Sequence, residues 1–159
     1  MREKKHRLPA EDYMGQVCVA ITACEKFRRP NLANPAMFEI VTSALEEAAE
    51  RGRCSVPIYT LMPDHAHLLV LGIDEESRAL ETINFFKWKS GVQIYSRKLP
   101  VKWEKDFYDR IVREAEGWRN QGRYIALNPV RAGLVENPEE WPFTGSIGYN
   151  LRDVLDDAF

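Results

Sequence analysis

Two of the three histidines in this 159-residue chain, His65 and His67, open a hydrophobic run over residues 65–71. A short run that is apolar at nearly every other position predicts a strand buried in the middle of a sheet. Side chains two residues apart on a strand point to the same face, so both imidazoles can converge on one ion. The sequence therefore predicts a sheet protein with a histidine pair on one face of a central strand.

A strong helix signal covers residues 34–52. Asn34 suits the N-cap, Pro35 suits the first helical position, and Gly52 suits the end of the helix. The apolar residues between them repeat at the spacing of one helical face: Met37, Ile40, Val41, Ala44, Leu45 and Ala48.

The other segments complete an alternating order of strands and helices. We predict strands over residues 13–23, 56–62, 65–71 and 107–112, with a tight turn at Pro63 and Asp64. Ser77 is expected to cap a second helix that runs to residue 95, and a third helix covers residues 114–128 until Pro129 ends it. This order indicates an α+β domain, ferredoxin-like or RRM-like, with an antiparallel sheet and helices packed on one face.

Composition fixes the broad class but not the function. With 45% hydrophobic and 29% charged residues, the chain is expected to form one domain over residues 1–159, with its core at 13–146, a basic N-terminal segment and an acidic C-terminal tail. No apolar run is long enough for a membrane span, no secretory signal is recognisable, and three scattered cysteines indicate reduced thiols, so we expect a cytoplasmic protein. A net charge of −2 and a pI of about 6.0 do not by themselves indicate a nucleic-acid binder.

A second polar pair lies near the end of the third predicted helix. Tyr124 and Asn128 are four residues apart and share a helical face, where a phenol can attack phosphorus and an amide oxygen can bind a hard cation. Spacing alone favours a structural interpretation, in which Tyr124 packs on the core and Asn128 caps the helix. His65 and His67 also have a structural alternative, hydrogen bonds to backbone groups, but two histidines on one apolar strand face favour a ligand pair.

Several motifs together resemble those of a known family. The segment YTLMPDHAH, residues 59–67, resembles the HUH motif of the single-tyrosine, insertion-sequence-like transposases. The segment YIALNPVRAGLV, residues 124–135, is similar to the tyrosine-bearing segment of their REP-associated branch, which residues 85–87, 103–110 and 139–143 also resemble. The resemblance covers roughly residues 13–146, and the two motifs in this order are specific.

The resemblance implies a role for each candidate residue. It makes His65 and His67 metal ligands, Asn128 a third ligand and Tyr124 the nucleophile. Family members have an RRM-like fold, use Mg²⁺ or Mn²⁺, and cleave single-stranded DNA beside a hairpin, leaving a 5′-phosphotyrosine and a free 3′-hydroxyl for strand transfer. Single-stranded DNA with a hairpin is then the expected partner of a monomer or homodimer that does not bind membranes. The cation is needed because a phenol, with a pKa of about 10, is a poor nucleophile at neutral pH.

Basic and aromatic side chains provide candidate DNA contacts, although each has an alternative role on a solvated helix face or in the core. The candidates are Lys87, Lys89, Arg113, Arg123 and Arg131, with Trp88 or Trp118 as a stacking platform. Two other functions remain open at this point. One is a non-catalytic RRM-like nucleic-acid-binding module with structural histidines, although the sequence lacks an R-G-F-x-F-type aromatic pair. The other is an H-x-H metallohydrolase of small substrates, which predicts a closed pocket rather than an open groove.

Overall fold

Five strands form one sheet in the computed structural model, which describes residues 7–113 and 117–158. The strands are β1 (Cys18–Cys24), β2 (Cys54–Leu61), β3 (His65–Gly72), β4 (Tyr108–Val112) and β5 (Thr144–Ile147). Their order is β4-β1-β3-β2-β5 with antiparallel pairings, so the histidine-bearing strand is central as predicted. The first strand begins at Cys18 rather than at residue 13, because Tyr13 ends a 3-10 turn, and β5 was not predicted.

The helices are α1 (Pro35–Gly52), α2 (Ala79–Ser96), α3 (Trp118–Ala126), α4 (Asn128–Arg131) and α5 (Leu151–Ala158). The prediction for α1 is confirmed: the Asn34 side chain accepts a hydrogen bond from the Met37 amide at 2.9 Å. The left-handed residue that ends α1 is Arg53, with φ of 55°, rather than Gly52. Gly52 is needed for a different reason, because a Cβ there would lie 1.7 Å from the Thr82 hydroxyl of α2.

The predicted cap of α2 is wrong. Ser77 lies before the helix, where its hydroxyl donates to the Arg53 carbonyl and accepts from the amides of Ile73 and Asp74 at 2.8 and 3.0 Å. Ile73 and Asp74 belong to the loop that enters α2, whereas Arg53 ends α1. Arg78 takes the N-cap position of α2 without a side-chain hydrogen bond. A serine hydroxyl can bond to the backbone groups of a loop as readily as to those of a helix end. The presence of a serine alone therefore does not locate a cap.

The observed third helix, α3, differs at both ends from the helix predicted over residues 114–128. Residues 114–116 lie outside the described residues, and α3 begins at Trp118 after Gly117, whose φ is 70°. Pro129 does not end the helical path, because Leu127 keeps right-handed helical angles and α4 follows directly. A proline in the first turn of a new helix costs no hydrogen bond, since its missing N–H would have no partner there.

Helices cover both faces of the sheet, which corrects the expectation that they pack on one face. α1 and α2 pack on the face that includes Val19 and Leu68, whereas α3 and α5 pack on the face that includes Ile58 and Leu69. Because β3 is apolar at both odd and even positions, both of its faces must be buried. The α+β class and the antiparallel sheet are confirmed.

The expected acidic tail is part of this packing. The side chains of Val154 and Leu155 in α5 are 3% and 7% exposed, so the core extends beyond residue 146. All three cysteines are buried and free, which agrees with the expectation of reduced thiols. Among the described helices, none is both long enough and apolar enough to cross a bilayer.

Candidate metal and nucleophile site

His65 and His67 project from the sheet face that also carries Leu69. Their Nε2 atoms are 3.1 Å apart and their ring planes are nearly perpendicular, at 89°. An octahedral Mg²⁺ with bonds of about 2.1 Å places neighbouring ligand atoms about 3.0 Å apart. The two nitrogens are therefore spaced as neighbouring ligands of a single divalent ion.

The opposite ring nitrogens are held by other side chains. Nδ1 of His65 is 2.6 Å from Oδ1 of Asp64, and Nδ1 of His67 is 3.1 Å from the hydroxyl of Thr22. Thr22 reaches His67 because the two residues are paired in register between β1 and β3. Metal-binding histidines commonly have such partners, which fix the ring so that the other nitrogen faces the ion.

Sequence reasoning missed both partners. Asp64 was assigned to a turn, although its position directly before His65 is a usable signal. Thr22 is distant in sequence and becomes a neighbour of His67 only through the strand register.

Burial and neighbouring charges determine the protonation states of His67 and Asp64. Burial is the largest cause, with smaller contributions from His65 and Arg131, of a His67 pKa that is lowered from 6.5 to about 4, so His67 is neutral at neutral pH. Burial raises the pKa of Asp64, but the hydrogen bond from His65 and the charge of Arg28 outweigh it and leave the pKa below its usual value. Asp64 is therefore a carboxylate that accepts from Nδ1–H of His65, while Arg28 Nε donates to its other oxygen at 3.0 Å.

Tyr124 and Asn128 are brought together by Arg131. The Arg131 guanidinium lies 4.0 Å from the centre of the Tyr124 ring and donates to the Tyr124 carbonyl at 2.6 Å and to Asn128 Oδ1 at 2.8 Å. The Tyr124 side chain is 54% exposed. Because Ile125 and Ala126 of α3 pack on the sheet face that includes Leu69, this cluster lies on the same side of the sheet as the histidines.

Asn128 has the chemistry of a third ligand, but its oxygen is engaged. Its Nδ2 atom is buried, and none of the described residues accepts a hydrogen bond from it. Half a turn of the carboxamide would exchange this atom with Oδ1, and an unpaired buried polar group calls for a missing ion or water. No group of three His, Cys, Asp or Glu side chains gathers within the described ranges. An amide oxygen is a usual ligand of hard divalent cations, so Asn128 has suitable chemistry to complete a site with the two histidines.

Two of the expected DNA contacts are engaged elsewhere. The Lys87 ammonium donates to the carbonyls of Glu104 and Lys105 at 2.6 and 2.7 Å, and burial lowers its pKa to about 8. Lys89 lies 3.6 Å from the carboxylate of Glu47 on α1. These contacts give both lysines a structural role on the α2 side of the molecule.

The three arginines among the expected DNA contacts do not all lie at the same end of the sheet. Arg123 is exposed on α3 next to Tyr124, and Arg131 contacts Tyr124 directly. Arg113 follows β4 at the end where Val112 pairs with Cys18, opposite to the end where Cys24 pairs with His65. The structure therefore brings Arg123 and Arg131, but not Arg113, to the candidate nucleophile. Trp118 packs on Tyr149, with 5.3 Å between the ring centroids.

Tyr108 is a second exposed phenol on the histidine face. It pairs with Thr22, which pairs in turn with His67, so the three side chains form one row across the sheet. At about 4.8 Å per strand, Tyr108 and His67 are roughly 10 Å apart along this row. Tyr108 is 52% exposed, nearly the same as Tyr124, but it lacks the amide that Asn128 provides beside Tyr124.

Comparison with known proteins gives consistent results. The sequence model of a family described as "Transposase IS200 like" matches residues 14–125, which include both histidines and Tyr124 but not Asn128. A putative REP-associated tyrosine transposase of Haemophilus influenzae is 24% identical over 64% of this chain and 64% of that protein. A REP-associated tyrosine transposase of Escherichia coli is 25% identical over 67% of this chain and 63% of that protein. The chain thus spans slightly less than two thirds of these relatives.

Solved structures share the fold at low sequence identity. A REP-associated tyrosine transposase bound to a REP hairpin superposes with a TM-score of 0.73 and 18% identity, covering 89% of this chain and 82% of that one. A putative transposase from Deinococcus radiodurans gives a TM-score of 0.51 with 16% identity, covering 79% of this chain and 95% of that one. Identities this low support a common fold and leave the chemistry to the residues of the site.

Proposed function

Because the chain belongs to the family of IS200-like transposases, we propose that it cleaves and rejoins single-stranded DNA with Tyr124 as the nucleophile. The observation that carries this proposal is the convergence of two Nε2 atoms 3.1 Å apart on one sheet face. A phenol and an amide lie together on the helices beyond that face, joined by Arg131. A metallohydrolase of small substrates would leave this exposed phenol without a role.

A divalent cation, Mg²⁺ or Mn²⁺, would be held by Nε2 of His65, Nε2 of His67 and the amide oxygen of Asn128. When bound, it polarises the scissile phosphate and neutralises part of the charge that develops there. All three protein ligands are neutral, so they do not cancel the positive charge of the ion. Asp64 and Thr22 orient the imidazoles from behind.

The chemical step exchanges one phosphodiester for another. The phenolic oxygen of Tyr124 forms a bond to phosphorus and loses its proton to solvent, while the bond from phosphorus to the 3′ oxygen breaks and that oxygen takes up a proton. The products are a 5′-phosphotyrosine and a free 3′-hydroxyl. The covalent intermediate conserves the bond energy, so the reverse attack by a 3′-hydroxyl rejoins DNA without a nucleotide cofactor.

The contact of Arg131 with Tyr124 supports a role for Arg131 in binding the phosphate that Tyr124 attacks. A guanidinium recognises phosphate oxygens through paired hydrogen bonds, and these are stronger than its contact with a neutral amide. When Arg131 turns to the phosphate, it releases the Asn128 oxygen for the cation and uncovers the Tyr124 ring. DNA binding and completion of the site would then be coupled.

A strand beside a hairpin is the proposed substrate. One structural neighbour is a transposase bound to a REP hairpin, and we transfer this preference to the present chain. The attacking phenol is exposed on a nine-residue helix, and in-line attack requires the scissile phosphate to approach it freely. A flexible single strand permits this approach more easily than a duplex.

The test is covalent trapping with Mn²⁺ and single-stranded hairpin DNA. Wild-type protein should form an adduct that survives denaturing electrophoresis, and peptide mapping should place the nucleotide on Tyr124. Tyr124→Phe removes only the attacking oxygen, so it should fold and bind DNA but form no adduct. Tyr108→Phe is the matched control, because Tyr108 is equally exposed on the same face, and it should react like wild type.

An adduct that persists in Tyr124→Phe and disappears in Tyr108→Phe would transfer the nucleophile to Tyr108. DNA binding with no adduct in any variant would favour the non-catalytic binding module.

A further inference from the structure

A groove of about 880 Å³ runs along α2 on the side of the molecule away from Tyr124. We call it the α2 groove. The residues that matter here are Trp88, Val92 and Tyr95 of the helix and Lys98, Lys102 and Trp103 of the segment after it. None of them takes part in the proposed cleavage step.

The helix side of the α2 groove exposes two aromatic rings and one aliphatic side chain to water. Trp88 is 61% exposed, Val92 45% and Tyr95 86%. Their spacing of four and three residues aligns them in one stripe about 10 Å long, at about 1.5 Å of rise per residue. A contiguous exposed apolar stripe of this kind marks an interaction surface rather than ordinary solvent exposure.

The charges along the α2 groove have a single sign. Its charged lining residues are Lys87, Lys98 and Lys102, with no aspartate or glutamate, although the whole chain has a net charge of −2. Lys98 and Lys102 are exposed, and no carboxylate in the described part of the chain forms an ion pair with either. The matching ligand is therefore anionic and carries flat apolar groups.

A single nucleic-acid strand combines these two properties. Its bases stack on aromatic side chains without regard to sequence, and its phosphates attract lysines. A duplex hides the faces of its bases, and an acidic peptide would match the lysines but offer no flat partners to Trp88 and Tyr95. A stripe about 10 Å long accommodates roughly three bases at the stacking distance of about 3.4 Å.

A hydrogen bond joins the two sides of the α2 groove, which lies at the histidine end of the sheet. Nε1 of Trp103 donates to the Ser90 hydroxyl at 2.9 Å, which holds the lysine-bearing segment against α2. The next residue, Glu104, donates its amide to the carbonyl of Cys24 at 2.8 Å, and Cys24 is the residue paired with His65. A DNA strand that leaves the histidine pair can therefore continue around the end of the sheet.

We propose that the α2 groove binds a single-stranded segment of the substrate DNA outside the cleaved position. Bases stack on Trp88 and Tyr95, and phosphates lie against Lys98 and Lys102. This assignment rests on the proposed function for the identity of the ligand, whereas the stacking surface itself follows from the exposed rings and the lysines.

The first test measures binding without cleavage. Fluorescence anisotropy follows a labelled 20-nucleotide oligothymidine added to the full chain carrying Tyr124→Phe, in EDTA. In this Tyr124→Phe background, Trp88→Ala and Tyr95→Ala should each weaken oligothymidine binding about tenfold, the effect of losing one stacked base. Trp88→Phe and Tyr95→Phe keep a ring and should retain most of the affinity. Ile73→Ala is the control, because Ile73 is 59% exposed beyond the other end of β3 and should change nothing.

The second test separates phosphates from bases. Lys98→Ala and Lys102→Ala should each reduce the slope of log affinity against log salt by roughly 0.7, the value for one phosphate contact on a single strand. The aromatic variants should lower the affinity and leave this slope unchanged.

Unchanged oligothymidine affinity in both alanine variants would overturn the proposal. It would also be overturned by an equal loss of affinity for a blunt 20-base-pair duplex, because that result would indicate duplex binding. These outcomes are independent of catalysis. If Tyr124→Phe still forms the covalent adduct, the assignment of the nucleophile is wrong. The oligothymidine affinities of the α2 groove variants still test the binding proposal.

Discussion

At the residue scale, the geometry of the histidine pair depends on side chains that never reach an ion. Asp64 accepts from His65 Nδ1 and is itself held by Arg28, so the His65 ring has one orientation and one tautomer. In that tautomer, Nε2 carries the lone pair that a cation needs.

Asp64→Asn should weaken Mn²⁺ binding by about 10- to 100-fold, the usual effect of losing a partner of a metal-binding histidine. The substitution keeps the shape of the side chain but removes the charge that fixes Nδ1–H. Calorimetric titration measures the affinity, and ¹⁵N NMR of the metal-free protein measures the His65 tautomer. Asp74→Asn is the matched control, since Asp74 also pairs with an arginine but lies beside Arg53 at the other end of β3. Equal affinities for wild type and Asp64→Asn would show that Asp64 does not position the ligand.

The sequence predicts the two histidines on one strand face because period-two alternation is a local rule that any strand obeys. The partnership of Thr22 with His67 was not predictable, because it depends on which residues of β1 and β3 pair. The contact of Arg131 with Tyr124 was also not predictable from local sequence, because Pro129 lies between them and indicates the end of a helix.

At the element scale, a buried carboxylate organises the segment between β1 and α1. Glu25 is fully buried and accepts hydrogen bonds from the amides of Phe27, Arg29 and Lys102 at 2.8 to 3.0 Å, and from the Arg29 guanidinium. It thereby ties the end of β1 to the segment that carries the lysines of the α2 groove.

The contribution of Glu25 to stability should disappear in acid. Burial raises its pKa, but the hydrogen bonds from Arg29, Lys102 and Phe27 outweigh this and lower the pKa from 4.5 to about 2. A depressed folded-state pKa stabilises the fold above pH 4.5, and the stabilisation is lost as the pH falls towards 2. From pH 6 to pH 3, wild type should lose about 2 kcal/mol through this group, and Glu25→Gln should not. Urea denaturation at both pH values measures the difference. An equally acid-sensitive Glu25→Gln would assign the loss to other groups, and Glu139→Gln, at an exposed position, should behave as wild type.

α1, α2, β2, β3 and β4 were predicted close to their observed bounds, because each has an apolar pattern that local rules recognise. β5 has only four residues and forms a strand because it pairs with β2, which no local pattern reveals. α5 did have a signal, since Leu151, Val154 and Leu155 repeat at helical spacing, but the acidic residues around them suggested a solvated tail.

At the scale of the whole molecule, the candidate site combines a strand from the middle of the sheet with helices packed over it. The order of elements was sufficient to predict a ferredoxin-like antiparallel sheet. It was not sufficient to predict which face α3 covers, because that choice is made by Ile58 and Leu69, which need burial on the second face.

This arrangement predicts a preference for single-stranded DNA. Tyr124 is exposed, so a flexible strand should bring its phosphate in line with the phenol more easily than a rigid duplex. Matched oligonucleotides, single-stranded with a hairpin and fully paired, should be cleaved at clearly different rates with Mn²⁺. Equal rates would contradict the assignment of substrate, and Asp74→Asn should retain the preference of wild type.

The central position of β3 also has a consequence for the lifetimes of the two halves of the site. β3 is the third of five strands and is paired on both sides, whereas α3 has nine residues, begins after Gly117 and is followed by Pro129. Central strands open only when the whole domain unfolds, and short peripheral helices open more cheaply. In native-state hydrogen exchange, the opening free energy of the His65 and His67 amides should therefore equal the free energy of global unfolding. The opening free energy of the amides around Tyr124 should be well below that value. The proposed ligand pair would then stay in place while the helix that carries the proposed nucleophile opens and re-forms. A strand attached to Tyr124 could therefore move away from the histidines without global unfolding of the protein.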